Sequence, residues 1–360
     1  MEEYVRIKVH TLRQFTVNLF RRFGVPPEDA KTATDVLITA DQRGVSSHGV
    51  QRLIRYTNGL KVGVMKPVAE IKVLRETPNT LLISGGGGLG QVVGYRAMKL
   101  VIEKALKNNV AFATVCDSNH YGIAAYYSMM ALKHNLIGIS LTNAEPLVVP
   151  TNGKDAVIGT NPISIAVPAG KERPFVLDMA SSTVPRGKLE VYHRLGKSIP
   201  NTWAVDEFGA PTQDPSRVLV NIRERQGGGL LPLGGAEEEG GGHKGYGLCL
   251  AVDIFCGVLS GSAFGLDLYS KKGVSARISH FFGAIKIEAF IELTRFQKLM
   301  DGYINMIRNT EKAEGKDRIF IHGEKEFELY EQRKEEVPIH RKVVEEIKKI
   351  GEEVNVKAPF

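Results

Sequence analysis

Three cysteines in 360 residues, Cys116, Cys249 and Cys256, form no Cys-x-x-Cys pair and cannot found a disulfide scaffold. Their scarcity suits a reducing compartment, and the seven-residue spacing of Cys249 and Cys256 in an apolar stretch marks them as small core residues. No apolar run is long enough to cross a bilayer; the most apolar, Leu248 to Leu259, spans twelve residues and holds Asp253. The opening Met-Glu-Glu-Tyr-Val-Arg lacks the basic-then-apolar pattern of a signal peptide, so a cytoplasmic location and no membrane partner are expected. No His-Glu-x-x-His occurs, and His10, His134, His193, His280, His322 and His340 show no ligand-like spacing, so no metal is expected. Blocks of single-sign charge are missing too: 47 Lys+Arg against 40 Asp+Glu leave a net +7. That balance admits anionic ligands without demanding nucleic acid, because no aromatic-interleaved basic stripe accompanies it. A basic nucleic-acid-binding protein stands as an alternative on charge alone.

What is present is an ordinary globular composition, 43% hydrophobic and 24% charged, at a length that supports two or three domains. Residues 1–60 read as helical. Thr11 is placed to cap a helix carrying Leu12, Phe15, Leu19 and Phe23, closed by Gly24. A second helix is predicted over Pro27–Arg43, where Ala33, Val36, Leu37 and Ala40 recur at helical spacing. Strands are predicted at Thr80–Ser84, Ala111–Cys116, Ile137–Thr142, Ile163–Val167, Phe175–Met179 and Phe281–Phe290. Helices are predicted from the glycine run to Asn108, from His120 to about His134, from about Tyr246, and beyond residue 294. Residues 226–247 read as a glycine-rich loop.

Two histidine segments carry the chemistry. In Ser46-Ser47-His48-Gly49-Val50-Gln51-Arg52, a capping serine would start a helix with His48, Arg52 and Tyr56 in one row. Histidine titrates near neutral pH and arginine grips a planar carboxylate with two parallel hydrogen bonds. The pair suits a small acid whose neighbouring oxygen gains or loses a proton; the competing reading is a solvated helix start. The second segment, Asn119-His120-Tyr121-Gly122, follows a strand end, a usual place for catalytic groups. Between them, Gly85-Gly86-Gly87-Gly88-Leu89-Gly90 matches the Gly-x-Gly-x-x-Gly fingerprint of a Rossmann dinucleotide site. With four of its first four residues glycine the match comes easily, and Asp117 lies 27 residues beyond Gly90, late for a ribose-binding acid. A Rossmann dehydrogenase using Gly85–Gly90 is the second enzyme reading.

A collinear set of motifs over roughly residues 35–325 resembles the malate/L-lactate dehydrogenase family that lacks a Rossmann fold. It comprises the 46–52 segment, Gly88-Leu89-Gly90-Gln91, Ser118-Asn119-His120-Tyr121-Gly122, Gly159-Thr160-Asn161-Pro162 and Leu177-Asp178-Met179-Ala180-Ser181. Arg186-Gly187-Lys188, Pro211-Thr212-Gln213-Asp214-Pro215, Leu231-Pro232-Leu233-Gly234-Gly235 and Lys244-Gly245-Tyr246-Gly247 complete it. The resemblance implies an α/β, non-Rossmann, sulfolactate-dehydrogenase-like fold: a mostly antiparallel sheet wrapped by helices, a helical N-terminal part and a smaller α/β domain. The expected division is 1–60 for the helical part, 61–135 plus about 300–345 for the substrate side, and 136–299 for the cofactor domain. It implies an NAD(P)-dependent oxidoreductase interconverting small 2-hydroxy and 2-oxo acids, malate foremost, acting as a homodimer with its active site near the subunit contact. By the same resemblance His48 and His120 are the acid/base candidates, Arg52 and Thr160 the substrate carboxylate clamp, and Ser47 a proton relay or orienter. Asp178, Met179, Ala180, Ser181, Gly234, Gly235, Gly323 and Glu324 are expected at the NAD or NADP cofactor, with Lys244 at its phosphates. One departure is Asn143-Ala144, where the family carries Asn-Ser, so a hydroxyl contact is missing.

Overall fold

The computed structural model describes residues 3–269 and 275–360. Leu12, Phe15, Leu19 and Phe20 line the buried face of helix Val9–Arg22, which packs on helix Pro27–Gln42 through Ala30, Ala33 and Leu37. Each large apolar side chain buried in this way contributes about 1.5–3 kcal/mol. Gly24, at φ +85°, ends the first helix as expected. Its start differs: Thr11 lies inside the helix rather than at its cap, because strand Tyr4–Lys8 runs straight into Val9. That strand pairs antiparallel with Glu336–His340, and the Val9 N–H donates to the Glu335 carbonyl at 2.8 Å. Local pattern reveals neither half of a pairing between residues more than 300 positions apart.

The centre is a seven-stranded sheet in the order Lys72–Glu76, Thr80–Ser84, Val110–Ser118, Ile278–Lys286, Leu136–Thr142, Ile163–Val167, Phe175–Met179. Thr80–Ser84 and Val110–Ser118 pair in parallel, joined by helix Gly90–Asn108; every other neighbouring pair is antiparallel. The sheet is therefore mostly antiparallel, as the family resemblance implied. Helix Gly90–Asn108 covers one face through Val93, Ala97, Val101 and Ala105 against Ile83, Ala113 and Val115. A four-stranded sheet of very short strands (Ala204–Val205, Gly229–Leu230, Pro146–Val148, Ile158–Gly159) lies apart from it.

Three sequence expectations shift. The strand predicted at Phe281–Phe290 is Ile278–Lys286; it ends where Lys286 N–H bonds the Asn109 carbonyl and the chain turns at Ile287–Ala289. The apolar helix begins at Gly242, and the loop before it contributes Gly229–Leu230, whose parallel partner is Val148. The helix expected up to His134 is a short α-helix, Ala124–Ser128, tightened into a 3-10 turn over Met129–His134.

Candidate active site

Helix Pro27–Gln42 delivers the first histidine. Gly44, at φ +81°, ends the turn after it, and two 3-10 turns follow, Ser46–His48 and Val50–Arg52, split by Gly49. The continuous helix expected from Ser46 does not form; the α-helix starts at Leu53, and no serine caps it. The cause is Asp41. Its buried carboxylate accepts the Val50 N–H at 2.8 Å, and a Cβ on Gly49 would sit 2.0 Å from its Oδ1. Burial pushes the Asp41 carboxyl up to about 7, against the Val50 N–H and the Arg333 charge, which pull it down. The broken helix turns Ser47 inward, so its hydroxyl lies 2.9 Å from His48 Nδ1, while Arg52 Nε donates to the Ser47 carbonyl at 2.7 Å.

The second histidine hangs on the glycine run. Gly85, Gly87 and Gly88 N–H groups donate to the Cys116, Asp117 and Gly85 carbonyls, and Gly86 N–H to the Ser84 hydroxyl. Asn119 Nδ2 donates to the carbonyls of Gly87 and Gly88 at 3.1 and 2.9 Å. With these amides satisfied inside the protein, the run offers no phosphate cradle, and the Rossmann reading of Gly85–Gly90 fails. The glycines instead let the 117–120 loop close on the start of helix Gly90–Asn108. Beyond it, His120 Nδ1 is hydrogen-bonded to the Tyr56 hydroxyl at 2.6 Å, and its ring stacks on His48 with centroids 5.4 Å apart. His280 is a satisfied core group, bonded to the hydroxyls of Thr142 and Ser118 at 2.8 Å each and stacked on Tyr121.

A cavity of about 250 Å³ gathers Ser47, His48, Arg52, His120 and Thr160 from three separate chain segments. Desolvation, then the charges of Arg52 and Arg55, pushes His48 down to about 4; desolvation and the Arg55 charge hold His120 well below its usual range. Both imidazoles are neutral near pH 7. Arg55 and Tyr269 also line the cavity, hydrogen-bonded to each other, and neither stands out in the sequence. The one available signal for Arg55 was its spacing, one helical turn beyond Arg52. Ser181 is fully buried outside this lining; its N–H and hydroxyl donate to the Thr160 carbonyl at 2.9 and 3.1 Å, fixing Thr160 on the wall.

A second cavity, about 510 Å³, shares Ser47, His48 and Thr160 with the first and is lined by Asp178, Met179, Ala180 and Gly323. Asp178 Oδ2 accepts the Ala125 N–H at 2.8 Å. Gly323 has φ +94°, and a Cβ there would lie 2.9 Å from Val176 Cβ. Glu324 is buried and outside the lining; its carboxylate takes Arg308 Nη2 at 2.5 Å, Arg318 Nη2 at 3.3 Å and the Ile321 N–H at 3.0 Å. That knot holds the Gly323 turn in place. Gly234, Gly235 and Lys244 also lie outside both linings, around the start of helix Gly242–Asp253. Gly234 and Gly235 have φ of +93° and +95°, nothing crowds Gly235, and Lys244 is exposed. The Leu233 N–H, bonded to the Ser181 carbonyl at 3.0 Å, connects this region to the cavity wall.

Residues 7–348 match the family model for malate/L-lactate dehydrogenase. The chain is 48% identical to a malate dehydrogenase of Pyrococcus abyssi over 99% of its length and 97% of that protein's. A solved malate dehydrogenase of Pyrococcus horikoshii superposes with TM-score 0.90 at 45% identity, covering 99% of this chain and 97% of that one. The sulfolactate dehydrogenase of Methanocaldococcus jannaschii superposes with TM-score 0.88 at 36% identity, covering 98% of each. On matched length, fold and the order of its motifs, the chain belongs to the malate/L-lactate dehydrogenase family, a family of 2-hydroxy acid oxidoreductases.

Proposed function

We propose that this enzyme interconverts malate and oxaloacetate with NAD or NADP, through His48, His120, Arg52 and Thr160. The observation that carries this reading is the meeting of those four side chains in one small cavity that shares a wall with a second. The second cavity, about 510 Å³ and lined by Met179, Ala180 and the Cβ-free Gly323 with Lys325 and Glu326 as polar groups, is the place assigned to the nicotinamide and its ribose. A nicotinamide bound there supplies the hydride acceptor or donor for C2.

The chain's own residues do the rest. Arg52 and Thr160 grip the C1 carboxylate and so fix C2, a positioning effect. In oxidation, neutral His48 takes the hydroxyl proton at Nε2 and passes the one on Nδ1 to the Ser47 oxygen as that hydroxyl releases its own proton. Ser47 lines both this cavity and a neighbouring cleft, so the proton it releases can leave on that side. His120, held by the buried Tyr56 hydroxyl, orients the reacting oxygen from the other side. Reduction runs the same path backwards. The test is a panel of oxaloacetate and pyruvate with NADH and with NADPH, followed by loss of reduced-cofactor absorbance. Oxaloacetate turnover is expected; no turnover of either acid with either cofactor would sink the proposal.

The same reading includes a homodimer and a cytoplasmic location, the latter supported by three free, buried thiols. Leu248, Phe255, Val258 and Leu259 form an apolar stripe, 40 to 58% exposed, on the helix starting at Gly242 and the turn that extends it. A stripe of this kind is a partner surface more often than a solvated one. The same helix supports the cavity, since Asp253 accepts from Asn143 Nδ2 at 3.0 Å and Asn143 lines it. Phe255→Asp is therefore expected to convert the dimer to monomer in light scattering and to lower turnover. An unchanged mass would remove this face from the contact.

A further inference from the structure

We propose that Arg55 receives a second anionic group of the substrate and thereby selects dianionic 2-hydroxy and 2-oxo acids over monoanionic ones. The inference rests on the first cavity being the hydroxy-acid site, and adds the residue that sets which acid is preferred. Arg55 stands in helix Leu53–Lys61, three positions after Arg52, and both line the cavity. Side chains at that spacing lie about 5–6 Å apart at Cβ, close enough to hold the two carboxylates of one four-carbon acid.

The charge arrangement points the same way. Two glutamates, Glu145 and Glu190, share the cavity wall, but both face Arg186, at 3.9 and 3.1 Å. Among the described residues no carboxylate pairs with Arg52 or Arg55. Arg52 donates to a backbone carbonyl and Arg55 to the Tyr269 phenol, contacts that orient a guanidinium without neutralising it. Tyr269 itself lines the cavity, so its phenol holds the Arg55 fork at the cavity wall. Glu145 acts on Arg55, and Glu190 on Arg52, only from beyond ion-pair distance. Two neighbouring, largely buried cations thus lack a contacting counter-charge, and a bound anion reduces that cost. Arg52 meets the C1 carboxylate; a monoanion leaves Arg55 unanswered, whereas a dianion answers both.

The experiment compares kcat/KM for oxaloacetate and for pyruvate in the unmodified enzyme, Arg55→Gln and Arg55→Lys. Removing one partner of a charge-assisted contact of this kind typically costs about a hundredfold. The oxaloacetate-to-pyruvate ratio is thus expected to fall about a hundredfold in Arg55→Gln, chiefly through KM, and to recover in part in Arg55→Lys. Equal losses for both acids, or an unmoved ratio, would overturn the assignment. A second measurement needs no variant: succinate should inhibit the unmodified enzyme, competitively with malate, at concentrations at least about tenfold below butyrate, its analogue with one carboxylate replaced by methyl. Equal inhibition would overturn the assignment even if the variants fail to fold. Absence of turnover with every 2-oxo acid would overturn both this inference and the reading of the site beneath it; turnover with an unmoved ratio would overturn only the role of Arg55.

Discussion

His48→Ala is expected to lower kcat by about 10²–10⁴ while cofactor affinity changes little, since general acid–base assistance is typically worth that much. The geometry behind the expectation is specific. Ser47 holds Nδ1 at 2.9 Å, which directs the opposite nitrogen at the cavity. Burial and the two arginines keep the imidazole near 4, so it is a neutral proton acceptor at physiological pH. A bound acid offsets the arginine charges and moves that value upward. Oxidation should then fall as pH is lowered through the raised value in the complex, because the base becomes protonated. Reduction should fall as pH is raised through the same value, because the acid is lost. His48→Ala should erase both limbs, measured as kcat against pH in each direction. A variant with full activity, or one that retains the same limb, would remove His48 from proton transfer and leave His120 to carry it.

Gly90→Ala should be nearly as damaging, though the position lies outside the lining of both cavities. A Cβ there would lie 2.1 Å from the Asn119 carbonyl oxygen and 2.6 Å from that of His120. Both are backbone atoms of the loop that aims His120, and Asn119 is tied to the glycine run by two further hydrogen bonds. Overpacking of this kind costs about 1–3 kcal/mol, and a displacement of about 1 Å in a catalytic group can cost about 10² in rate. The expected result is a lower melting temperature together with a kcat loss of about that size. Gly302→Ala is the control: it lies in helix Leu293–Arg308 with nothing near its Cβ position, and should hold or raise stability. Normal activity in Gly90→Ala would mean that the His120 loop is not set by this contact.

The parts of the site legible in the sequence were those whose chemistry is rare and whose neighbours are local. His48, Arg52 and His120 announced themselves through residue type and strand-end or helix-end position, and Thr160 through its place in the collinear motifs. The Gly85–Gly90 run was legible as a motif and misleading as a site, because the sequence does not show that its amides are already bonded. Arg55 and Tyr269 stayed silent for the opposite reason: an arginine in a surface-patterned helix and a tyrosine 214 residues away acquire meaning only when the fold brings them together. Glu324 read as a cofactor group, yet its carboxylate is consumed by Arg308, Arg318 and a backbone N–H from the same turn. Strands obeyed the same rule. Ile137–Thr142 and Phe175–Met179, long and apolar, were found within a residue, whereas the two-residue strand Gly229–Leu230 exists only because a neighbour pairs with it.

The pairing of Tyr4–Lys8 with Glu336–His340 imposes an order of events on the making of this enzyme. Arg333 Nη1 donates to the Asp41 carbonyl at 2.9 Å, and Gln42 Nε2 reaches the carbonyls of Arg333 and Lys334. The turn that shapes the His48 segment is therefore braced by residues synthesised almost three hundred positions later. A nascent chain can form its first two helices early, but it must wait for residue 340 before the His48 turn is locked. Contacts of such long sequence separation slow folding. Activity should consequently be the last property to appear during refolding, after most helical signal has returned.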